Sequence, residues 1–470
     1  MKEYDVVIGL EIHAELKTNS KVFCSCENAF GGEPNTHCCP VCIGLPGALP
    51  IINKKAIELT IKAGLAMGCD INDIAIFERK NYFYPDLAKA YQISQLVKPI
   101  CIGGGIKLDS GKFIRLNRIH LEEDAGKLIH EGNTTQIDYN RAGVPLIEMV
   151  SEPDISSADE ALEYITKLRN NLIYAGVAEC KMEQGGMRCD VNLSIKPKGS
   201  DKLGTRTEMK NLNSFKMIQR AINYEVERQI SVLESGGTIK QQTLKWDDAR
   251  GENYSMRDKE NSNDYRYFPD PDILTIDLDR ETVTRIKSEL PMLPSELFEM
   301  YIDKYNLPKY DAEILTKDKA TSSFFNECVA LYNNPKIVSN WTMTEVLREA
   351  KNEEDEEIKI SPKQLTDILI MLDKGSVSRQ NAKDLFAMLW GTGDDATKIA
   401  ESKNMISNFS EAELISVIDD VIKNNPKAVD EYNSTKDDKV INFLIGQIMK
   451  QTKGKANAGV CRLKIIEKLN

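Results

Sequence analysis

The sequence predicts an α+β protein in which a sheet-bearing N-terminal part is followed by a helical C-terminal part. Up to about Pro291, short segments alternate polar and apolar residues with a period of two, which is typical of half-buried strands. Beyond Pro291, apolar residues recur at helical spacing, and the pattern breaks near Pro308 and Pro335. The 470 residues exceed the size at which one hydrophobic core keeps growing, so two or three domains are expected.

The composition is that of a soluble globular protein. Hydrophobic residues make up 41% and charged residues 28%, and no apolar run reaches the roughly 20 residues that a membrane helix needs. The first residues lack the pattern of a signal peptide, so we expect a cytoplasmic protein with no membrane partner. The net charge of −11 argues against coating of nucleic acid by bulk charge, so any RNA contact must be regional.

The first strand of the N-terminal part is predicted over Val7–Leu16. Glu11, His13 and Glu15 alternate with apolar residues and therefore project from one face of this strand. Two carboxylates and an imidazole on one face indicate a site. The alternative is an edge strand with a solvated outer face.

Five of the eleven cysteines fall between residues 24 and 42, which we interpret as a small zinc-binding loop. A C-x-C pair is followed by a C-x2-C pair, with turn-forming glycine and proline between them. Four thiolates close the coordination of Zn²⁺, so the site would be structural rather than catalytic. The predicted ligands are Cys24, Cys26, Cys39 and Cys42, with Cys38 spare and His37 a weaker candidate. The alternative is a set of reduced cysteines without metal.

Two further segments carry ionisable residues at positions where an ordinary β-sandwich would have solvent-facing threonine or lysine. Arg118, His120 and Glu122 share one face of a predicted strand. Glu148 stands inside the apolar run Leu146–Val150, where a carboxylate is costly to bury unless it is paired or binds a metal. The alternative is that Glu148 faces outward from a half-buried strand.

Two more alternating segments follow. The first carries Arg188 and Asp190, and the second carries Arg206, Glu208 and Lys210. Carboxylates with one imidazole suit Mg²⁺ or Mn²⁺, and Mg²⁺ usually accompanies nucleotide phosphates that basic side chains can meet. A network of surface ion pairs is the alternative.

Familiar nucleotide-binding and amidase signatures are missing from the sequence. There is no phosphate-binding G-x4-G-K-[ST] motif, and the triple glycine of CIGGGIKL predicts a hairpin turn before a strand. No nucleophile elbow occurs either. If the reaction consumes ammonia, another protein must make it.

The C-terminal end is locally basic. From Lys450 to Asn470 there are six Lys or Arg against one Glu, an excess that suits a phosphate backbone. The alternative is a lysine-rich helix end that serves solubility. The acidic run Lys351–Lys359 is predicted to be a solvated linker.

Long motifs along the whole chain resemble those of the GatB family, the B subunits of bacterial tRNA-dependent amidotransferases. They include IGLEIHAELKT, the two cysteine pairs, RKNYFYPD, HLEEDAGK, RAGVPLIEMVSEPD, KMEQGGMRCDVN, EMKNLNSF, DYRYFPDPD, SNWTMTEV and GQIMKQTKGKAN. The resemblance implies a mixed or antiparallel-sheet cradle domain over 1–292 that contains the zinc loop 24–42. It also implies an all-α helical domain over 293–400 and an α-helical, tRNA-binding tail domain over 401–470.

The resemblance also implies an activity and partners. The family phosphorylates the side-chain carboxylate of Glu-tRNA(Gln), and often of Asp-tRNA(Asn), with ATP and then replaces phosphate by ammonia. The expected partners in a heterotrimer are the A subunit, which is an amidase-type glutaminase, and the small C subunit. The misacylated tRNA is the substrate. A non-catalytic tRNA scaffold and a small-molecule ligase that uses no RNA are the competing interpretations.

Residue-level similarity to the family implies roles for particular side chains. His13, Glu122 and Glu148 would be the main ligands of Mg²⁺, with Glu11 beside them and Asp190 a further ligand of the same site. Arg206 would meet phosphate or the substrate carboxylate. Lys80 matches the position where an ammonia passage opens, and it would gate or deprotonate ammonium if burial lowers its pKa. On its own, Lys80 is typical of a surface lysine.

Overall fold

The computed structural model describes residues 3–258, 265–352, 357–406, 411–452, 456 and 458–469. The strands are β1 (Tyr4–Glu15), β2 (Asp70–Ile71), β3 (Ile74–Ala75), β4 (Glu78–Asn81), β5 (Tyr91–Ser94), β6 (Cys101–Ile102), β7 (Gly105–Lys107), β8 (Phe113–Glu123), β9 (Lys127–Glu131), β10 (Thr134–Asp138), β11 (Pro145–Ser151), β12 (Met187–Pro197), β13 (Thr207–Leu212), β14 (Gln242–Asp247), β15 (Glu252–Asp258), β16 (Phe268–Pro269) and β17 (Ile276–Asp277).

The helices lie among these strands and after them. They are α1 (Lys54–Ala66), α2 (Ala158–Tyr174), α3 (Phe215–Glu234), α4 (Arg280–Ser288), α5 (Pro294–Asp303), α6 (Lys309–Leu315), α7 (Lys319–Leu331), α8 (Pro335–Trp341), α9 (Leu347–Ala350), α10 (Pro362–Asp373), α11 (Arg379–Leu389), α12 (Ala396–Ser402), α13 (Glu411–Asn424), α14 (Pro426–Thr435), α15 (Asp438–Gln451) and α16 (Ala458–Leu469). A 3-10 turn spans Met182–Gln184, and a π-helical turn spans Thr342–Val346.

The chain divides into two compact units, Met1–Pro294 and Ser295–Asn470. The first contains the sheet and the second is helical, which confirms the predicted order of a sheet-bearing part followed by a helical part. Residue 401, where the tail domain was predicted to begin, lies inside α12. The division into 1–292, 293–400 and 401–470 stays a prediction.

Within the described residues, the first unit is built on a ten-stranded sheet in the order β15-β14-β13-β12-β1-β11-β8-β6-β2, with β7 also paired to β8. Neighbours are antiparallel except for the parallel pair β13 and β14, so the sheet is mixed. The strand predicted over Val7–Leu16 is confirmed as β1. Because β1 lies between β11 and β12, the alternative of an edge strand is wrong.

The alternation along β1 separates the core from the site. Its even-numbered residues, such as Ile8, Leu10 and Ile12, are buried in the main hydrophobic cluster. On the first unit's core side, α1 packs on β8, α3 packs on β12, and α2 contacts both α1 and α3. One face of the central strands therefore carries the core, and the polar side chains of the same strands lie on the other face.

The prediction of a hairpin at the triple glycine is wrong. Both β6 and β7 pair antiparallel with β8, so Gly103–Gly105 interrupts one strand path instead of reversing it. Gly103 and Gly104 have positive φ angles of 67° and 80°. A Cβ atom on Gly104 would lie 2.6 Å from the carbonyl oxygen of Met67, so glycine is required there by backbone conformation and by space.

In the second unit, proline marks helix starts as predicted. Pro308 is the N-cap of α6, and Pro335 occupies the first position of α8, where its missing N–H costs nothing. Helices α13 to α16 share a buried cluster that includes Ile418, Ile441 and Leu444. No helix in the described ranges is long and apolar enough to cross a membrane.

Parts of two predicted segments lie outside the described residues. These are residues 353–356 of the acidic run, and residues 453–455, 457 and 470 of the basic tail.

Candidate active site

Three side chains on neighbouring strands form a row on the polar face of the sheet. His13 of β1 is directly opposite Glu148 of β11, and Glu148 is directly opposite His120 of β8. Glu122 lies two residues after His120 and so points from the same face of β8. Strand register thus brings together residues that are more than a hundred positions apart in the sequence.

His13, Glu122 and Glu148 lie close enough together for their side chains to bind one metal ion. His13 Nε2 lies 3.6 Å from Glu122 Oε1 and 3.4 Å from Glu148 Oε2, and one ligand atom from each residue lies within 4.8 Å of the others. The side chain of Glu122 is 3% exposed and that of Glu148 is 13% exposed. Glu148 thus lies on the face of the half-buried strand that points away from the core, as the alternative stated, but it is mostly buried within this group.

His120 orients both carboxylates from the other side. Its Nε2 atom lies 3.5 Å from Glu122 Oε2 and 3.5 Å from Glu148 Oε2, and Arg118 Nε lies 3.4 Å from its Nδ1 atom. Ser94 Oγ donates to Glu122 Oε2 at 3.1 Å. The carboxylates are therefore held by neighbouring side chains.

Electrostatics keep these two carboxylates ionised. Burial would raise the pKa of Glu148, but the charge of His120 and the hydrogen bond from His13 outweigh burial and hold it well below its usual range. Burial also opposes ionisation of Glu122, but the hydrogen bond from His120, together with the charges of His120 and His13, outweighs burial and lowers the pKa of Glu122. For His13, burial would lower the pKa, but bonding to Glu148 and the charges of Glu148 and Glu122 raise it.

A second acidic group lies on the same face, toward β12 and β13. Ligand atoms of Glu11, Asp190 and Glu208 lie within 4.8 Å of one another, and Glu11 is directly opposite Asp190 in the strand register. Burial, followed by the charges of Glu148, Glu208 and Asp190, raises the pKa of Glu11. Lys210 Nζ contacts Asp190 at 2.5 Å and Glu208 at 3.6 Å.

This second group differs from what the sequence indicated. Asp190 was predicted at the site of His13, Glu122 and Glu148, whereas the structure groups it with Glu11 and Glu208. Asn192 Nδ2 donates to Glu11 at 2.8 Å, while Asn192 Oδ1 is buried and has no hydrogen-bond partner in the described part of the chain. An unpartnered buried oxygen beside three carboxylates is the arrangement expected where a cation binds.

Lys80 of β4 is half-buried under aromatic rings. Its Nζ atom lies 5.0 Å from the ring centroid of Tyr265 and 5.9 Å from that of Tyr82, within range of cation–π attraction. Burial lowers the pKa of Lys80, but the charges of Glu122 and Glu148 outweigh burial and raise it. The condition under which Lys80 would deprotonate ammonium, a pKa lowered by burial, is therefore not met, because the charges of Glu122 and Glu148 raise the pKa.

The segment around residue 268 completes the surroundings of Lys80. Here β16 pairs with β4, with Phe268 opposite Arg79. Arg79 Nε donates to Asp270 at 2.8 Å and Arg79 Nη2 donates to Asp272 at 2.7 Å. These bonds fix the segment that carries Tyr265 beside Lys80.

Arg206 lies apart from the ligand cluster of His13. It is exposed at the mouth of a cavity of about 210 Å³ that Glu11, Asn192 and Ser194 also line. The structure therefore brings Arg206 to the side of the second acidic group, where the cavity gives a small ligand access.

Glu15, the third polar residue of β1, lies in a different charged group. Arg188 Nη2 contacts Asp124 at 2.5 Å. Burial, followed by the charge of Asp124, raises the pKa of Glu15 to about 7, against the opposing charge of Arg188. Glu15 thus shares a strand face with Glu11 and His13 but not their ligand groups.

The cysteine loop brings four thiols together. Sulfur atoms of Cys24, Cys26, Cys39 and Cys42 lie within 4.8 Å of one another, and Cys42 Sγ is 3.9 Å from Cys39 Sγ. The pKa of Cys42 is lowered to about 4, and the largest cause is its hydrogen bond with Cys24.

Two neighbours of the four thiols lie outside this group. Cys38 Sγ instead faces Asn140 Oδ1 at 3.9 Å. The ring of His37 lies beside Gly32, where an added Cβ would be 3.3 Å away, and its Nδ1 atom is buried without a partner among the described residues.

Sequence reasoning did not assign roles to several residues of the site. His120, Glu208 and Lys210 were placed on predicted strands without a ligand role. Their strand periodicity was visible, but only cross-strand register shows which residues meet. Tyr265 and Arg79 gave no signal, because their position depends on the pairing of β16 with β4.

Comparison with known proteins identifies the relatives of this chain. A family model described as the GatB/GatE catalytic domain matches residues 6–284, and one described as the GatB domain matches residues 323–469. A relative from Thermoanaerobacter pseudethanolicus is 49% identical over 474 residues, covering 100% of both chains. One from Caldicellulosiruptor saccharolyticus is 50% identical over 465 residues, covering 97% of both. Both relatives are named as the B subunit of aspartyl/glutamyl-tRNA(Asn/Gln) amidotransferase.

Proposed function

Because this chain belongs to the GatB/GatE family, we propose that it is the B subunit of a tRNA-dependent amidotransferase, an ATP-dependent carbon–nitrogen ligase. Its substrates are Glu-tRNA(Gln), Asp-tRNA(Asn) or both, and its products are the amidated tRNAs used in translation. It works in a heterotrimer with the A subunit, an amidase-type glutaminase, and with the small C subunit. The observation that carries the proposal is the open face of the sheet on which His13, Glu122 and Glu148 converge.

The donor set of this face fits a hard divalent cation. Two ionised carboxylates and one imidazole, without a thiol, suit Mg²⁺ or Mn²⁺, and His13, Glu122 and Glu148 would hold the ion. Glu11, Asp190 and Glu208 provide all-oxygen donors for a second ion. Bound Mg²⁺ supplies neutralisation of phosphate charge, which is the main requirement of phosphoryl transfer.

The reaction has two covalent steps. A side-chain carboxylate oxygen of the aminoacyl-tRNA attacks the γ-phosphorus of ATP, which forms an acyl phosphate and releases ADP. Ammonia then attacks the acyl carbon, phosphate leaves with the bonding electrons, and one proton is lost to give the amide. The first step is needed because a carboxylate oxygen is a poor leaving group until it is phosphorylated.

The chain's own residues position the reactants. Lys80, protonated between Glu122, Glu148 and the ring of Tyr265, contributes a fixed positive charge at the edge of the site. Arg206, at the mouth of the cavity beside Glu11, is positioned for a phosphate or a substrate carboxylate. Lys210 balances the charge of Asp190 and Glu208.

The cysteine loop would hold a structural zinc ion. Four thiols from two close pairs match the tetrahedral donor set of Zn²⁺ and leave no position for a reacting water. The tail over 401–470, which carries the basic end, would contact the body of the tRNA.

The deciding experiment measures ADP release by the chain assembled with its partner subunits, with ammonium as nitrogen donor, with and without misacylated Glu-tRNA(Gln). We expect release that requires the charged tRNA and is lost in Glu148→Ala. Binding of charged tRNA without tRNA-dependent ADP release, while the glutaminase is active, would favour a scaffold. ADP release with a free acid and no RNA would favour a small-molecule ligase.

A further inference from the structure

Lys21 is a completely buried lysine in the loop of the four cysteines. Its exposed fraction is 0%, although lysine almost always keeps its ammonium group in water. An ammonium group removed from water is costly unless an anion or several hydrogen-bond acceptors compensate it. The position of Lys21 therefore requires a compensating group in its surroundings.

The hydrogen bonds of Lys21 tie the two cysteine pairs to each other. Its backbone N–H donates to the carbonyl oxygen of Cys26 at 2.9 Å, next to the first pair. Its Nζ atom donates to the carbonyl oxygen of His37 at 2.7 Å, just before the second pair, and to that of Tyr139 at 3.3 Å. Carbonyl oxygens carry only partial charge, so these two Nζ bonds do not neutralise the ammonium group.

The side chains of Lys21 and Cys42 approach the same glycine. A Cβ atom added at Gly143 would lie 3.6 Å from Cδ of Lys21 and 3.5 Å from Cβ of Cys42. Gly143 has a φ of 82° and bonds through its carbonyl oxygen to the N–H of Val22, which fixes this contact. The four-thiol group is thus the anionic centre beside which the ammonium group is buried.

We propose that Lys21 is the built-in counter-charge of the four-cysteine metal centre, an inference that rests on the zinc site proposed above. Four thiolates around one Zn²⁺ leave the centre with two negative charges in excess, inside a partly buried loop. The ammonium group of Lys21 offsets one of them. Lys21 is therefore a positioning residue that favours thiolate over thiol and holds the two cysteine pairs at the metal.

The inference predicts the effect of neutralising this one charge. In Lys21→Met the thiolates lose a cation buried close to their loop, so protons compete better with zinc and the metal is held more weakly. Loss of groups that support metal ligands typically weakens metal affinity by about 10-fold to 100-fold. Thiols that hold zinc more weakly are also left without the metal more often, so an alkylating agent reaches them faster.

The experiment uses the full-length chain purified with its partner subunits. Zinc per chain is measured by elemental mass spectrometry, and zinc affinity by competition with a chromophoric chelator, for wild type, Lys21→Met, Lys21→Gln and Lys21→Arg. Lys54→Met, which removes an exposed lysine at the start of α1, is the matched control. The rate of thiol alkylation by iodoacetamide is the second readout.

We expect weaker zinc binding and faster alkylation in Lys21→Met and Lys21→Gln, partial rescue in Lys21→Arg, and no change in Lys54→Met. Wild-type affinity and alkylation rate in folded Lys21→Gln would overturn the inference, since glutamine keeps a donor but not the charge. If Lys21→Met does not fold, the comparison of Lys21→Gln with Lys21→Arg decides the question. A wild-type chain that binds no zinc would instead refute the zinc site itself.

Discussion

His13 Nε2 lies 3.4 Å from Glu148 Oε2 across the pairing of β1 with β11, where the two residues are direct partners in the register. Glu148 is also the direct partner of His120 on its other side. A carboxylate between two imidazoles, on a surface that opens away from the core, is the centre of the proposed kinase site.

Replacing Glu148 by glutamine keeps the side-chain shape and removes its charge. Because the pKa of Glu148 lies well below its usual range, this residue is anionic at neutral pH. We expect tRNA-dependent ADP release to fall by about 100-fold or more, since losing a ligand should cost at least as much as losing a group that supports one.

The control for Glu148→Gln is Glu227→Gln, which changes an exposed glutamate of α3. Both variants are assayed with saturating charged tRNA, and tRNA affinity is measured separately. Equal ADP release in Glu148→Gln and wild type would contradict the proposed ligand role.

Substitutions at Lys80 separate a charge role from a base role. The net rise in its pKa, caused by Glu122 and Glu148 against the effect of burial, keeps Lys80 protonated at neutral pH. We therefore expect Lys80→Arg to retain more amide formation than Lys80→Met, with ammonium as nitrogen donor.

A lysine that acts by deprotonating ammonium would lose activity equally in Lys80→Arg and Lys80→Met. Measuring the pH profile of wild type between about pH 6 and 9 gives a second check. A fixed positive charge contributes no titration in that range, because lysine ordinarily titrates near 10.4 and its pKa here is higher.

Glu15 makes the stability of the chain depend on pH. The pKa of Glu15 is about 7 in the folded chain and about 4.5 in the unfolded chain. Between these two pH values the folded chain keeps the proton on Glu15 and the unfolded chain does not, so the free energy of unfolding falls as pH rises. Above pH 7 Glu15 is ionised in both states, and the free energy of unfolding is reduced by the full cost of holding this charge in a half-buried position. We expect Glu15→Gln to raise the free energy of unfolding by about 1 to 3 kcal/mol at pH 8.

At pH 5 the same Glu15→Gln substitution should change stability little, because the folded chain holds Glu15 neutral. Denaturant unfolding at both pH values gives the comparison. A stabilisation that is equal at pH 5 and pH 8 would point to packing rather than to the charge of Glu15.

The cysteine loop contains its own matched pair of variants. Cys42 lies in the four-thiol group and Cys38 does not. We expect Cys42→Ser to lose zinc and to lower the unfolding temperature, while Cys38→Ser keeps one zinc per chain. Elemental analysis and thermal unfolding measure the two effects, and loss of zinc in Cys38→Ser alone would contradict the assignment.

Removal of residues 403–470, which cuts the chain after α12, tests the proposed tRNA-binding tail. The deletion removes the basic end and the cluster shared by α13 to α16, and leaves every residue of the candidate active site. We expect tRNA affinity to fall at least about tenfold, with a weaker dependence on salt, and ATP affinity to stay unchanged. Equal losses of both affinities would count against a dedicated tRNA module.

The sequence by itself determined the class of fold and the chemistry of the site. Alternation of polar and apolar residues identified β1, β8, β11 and β12, because successive side chains of a strand with one buried face point in turn to the core and away from it. Residue types then restricted the ligands, since carboxylates with imidazole suit hard cations and paired cysteines suit zinc. These inferences needed only local spacing and side-chain chemistry.

The tertiary structure decided which of these residues meet. Register across β1, β11 and β8 joins His13 to Glu148 and Glu122, and register across β1, β12 and β13 joins Glu11 to Asp190 and Glu208. The same folding raises the pKa of Lys80 through the charges of Glu122 and Glu148, although burial alone would lower it. Such pairings join strands that are far apart in sequence, and a shift of one residue in register would send every side chain to the opposite face.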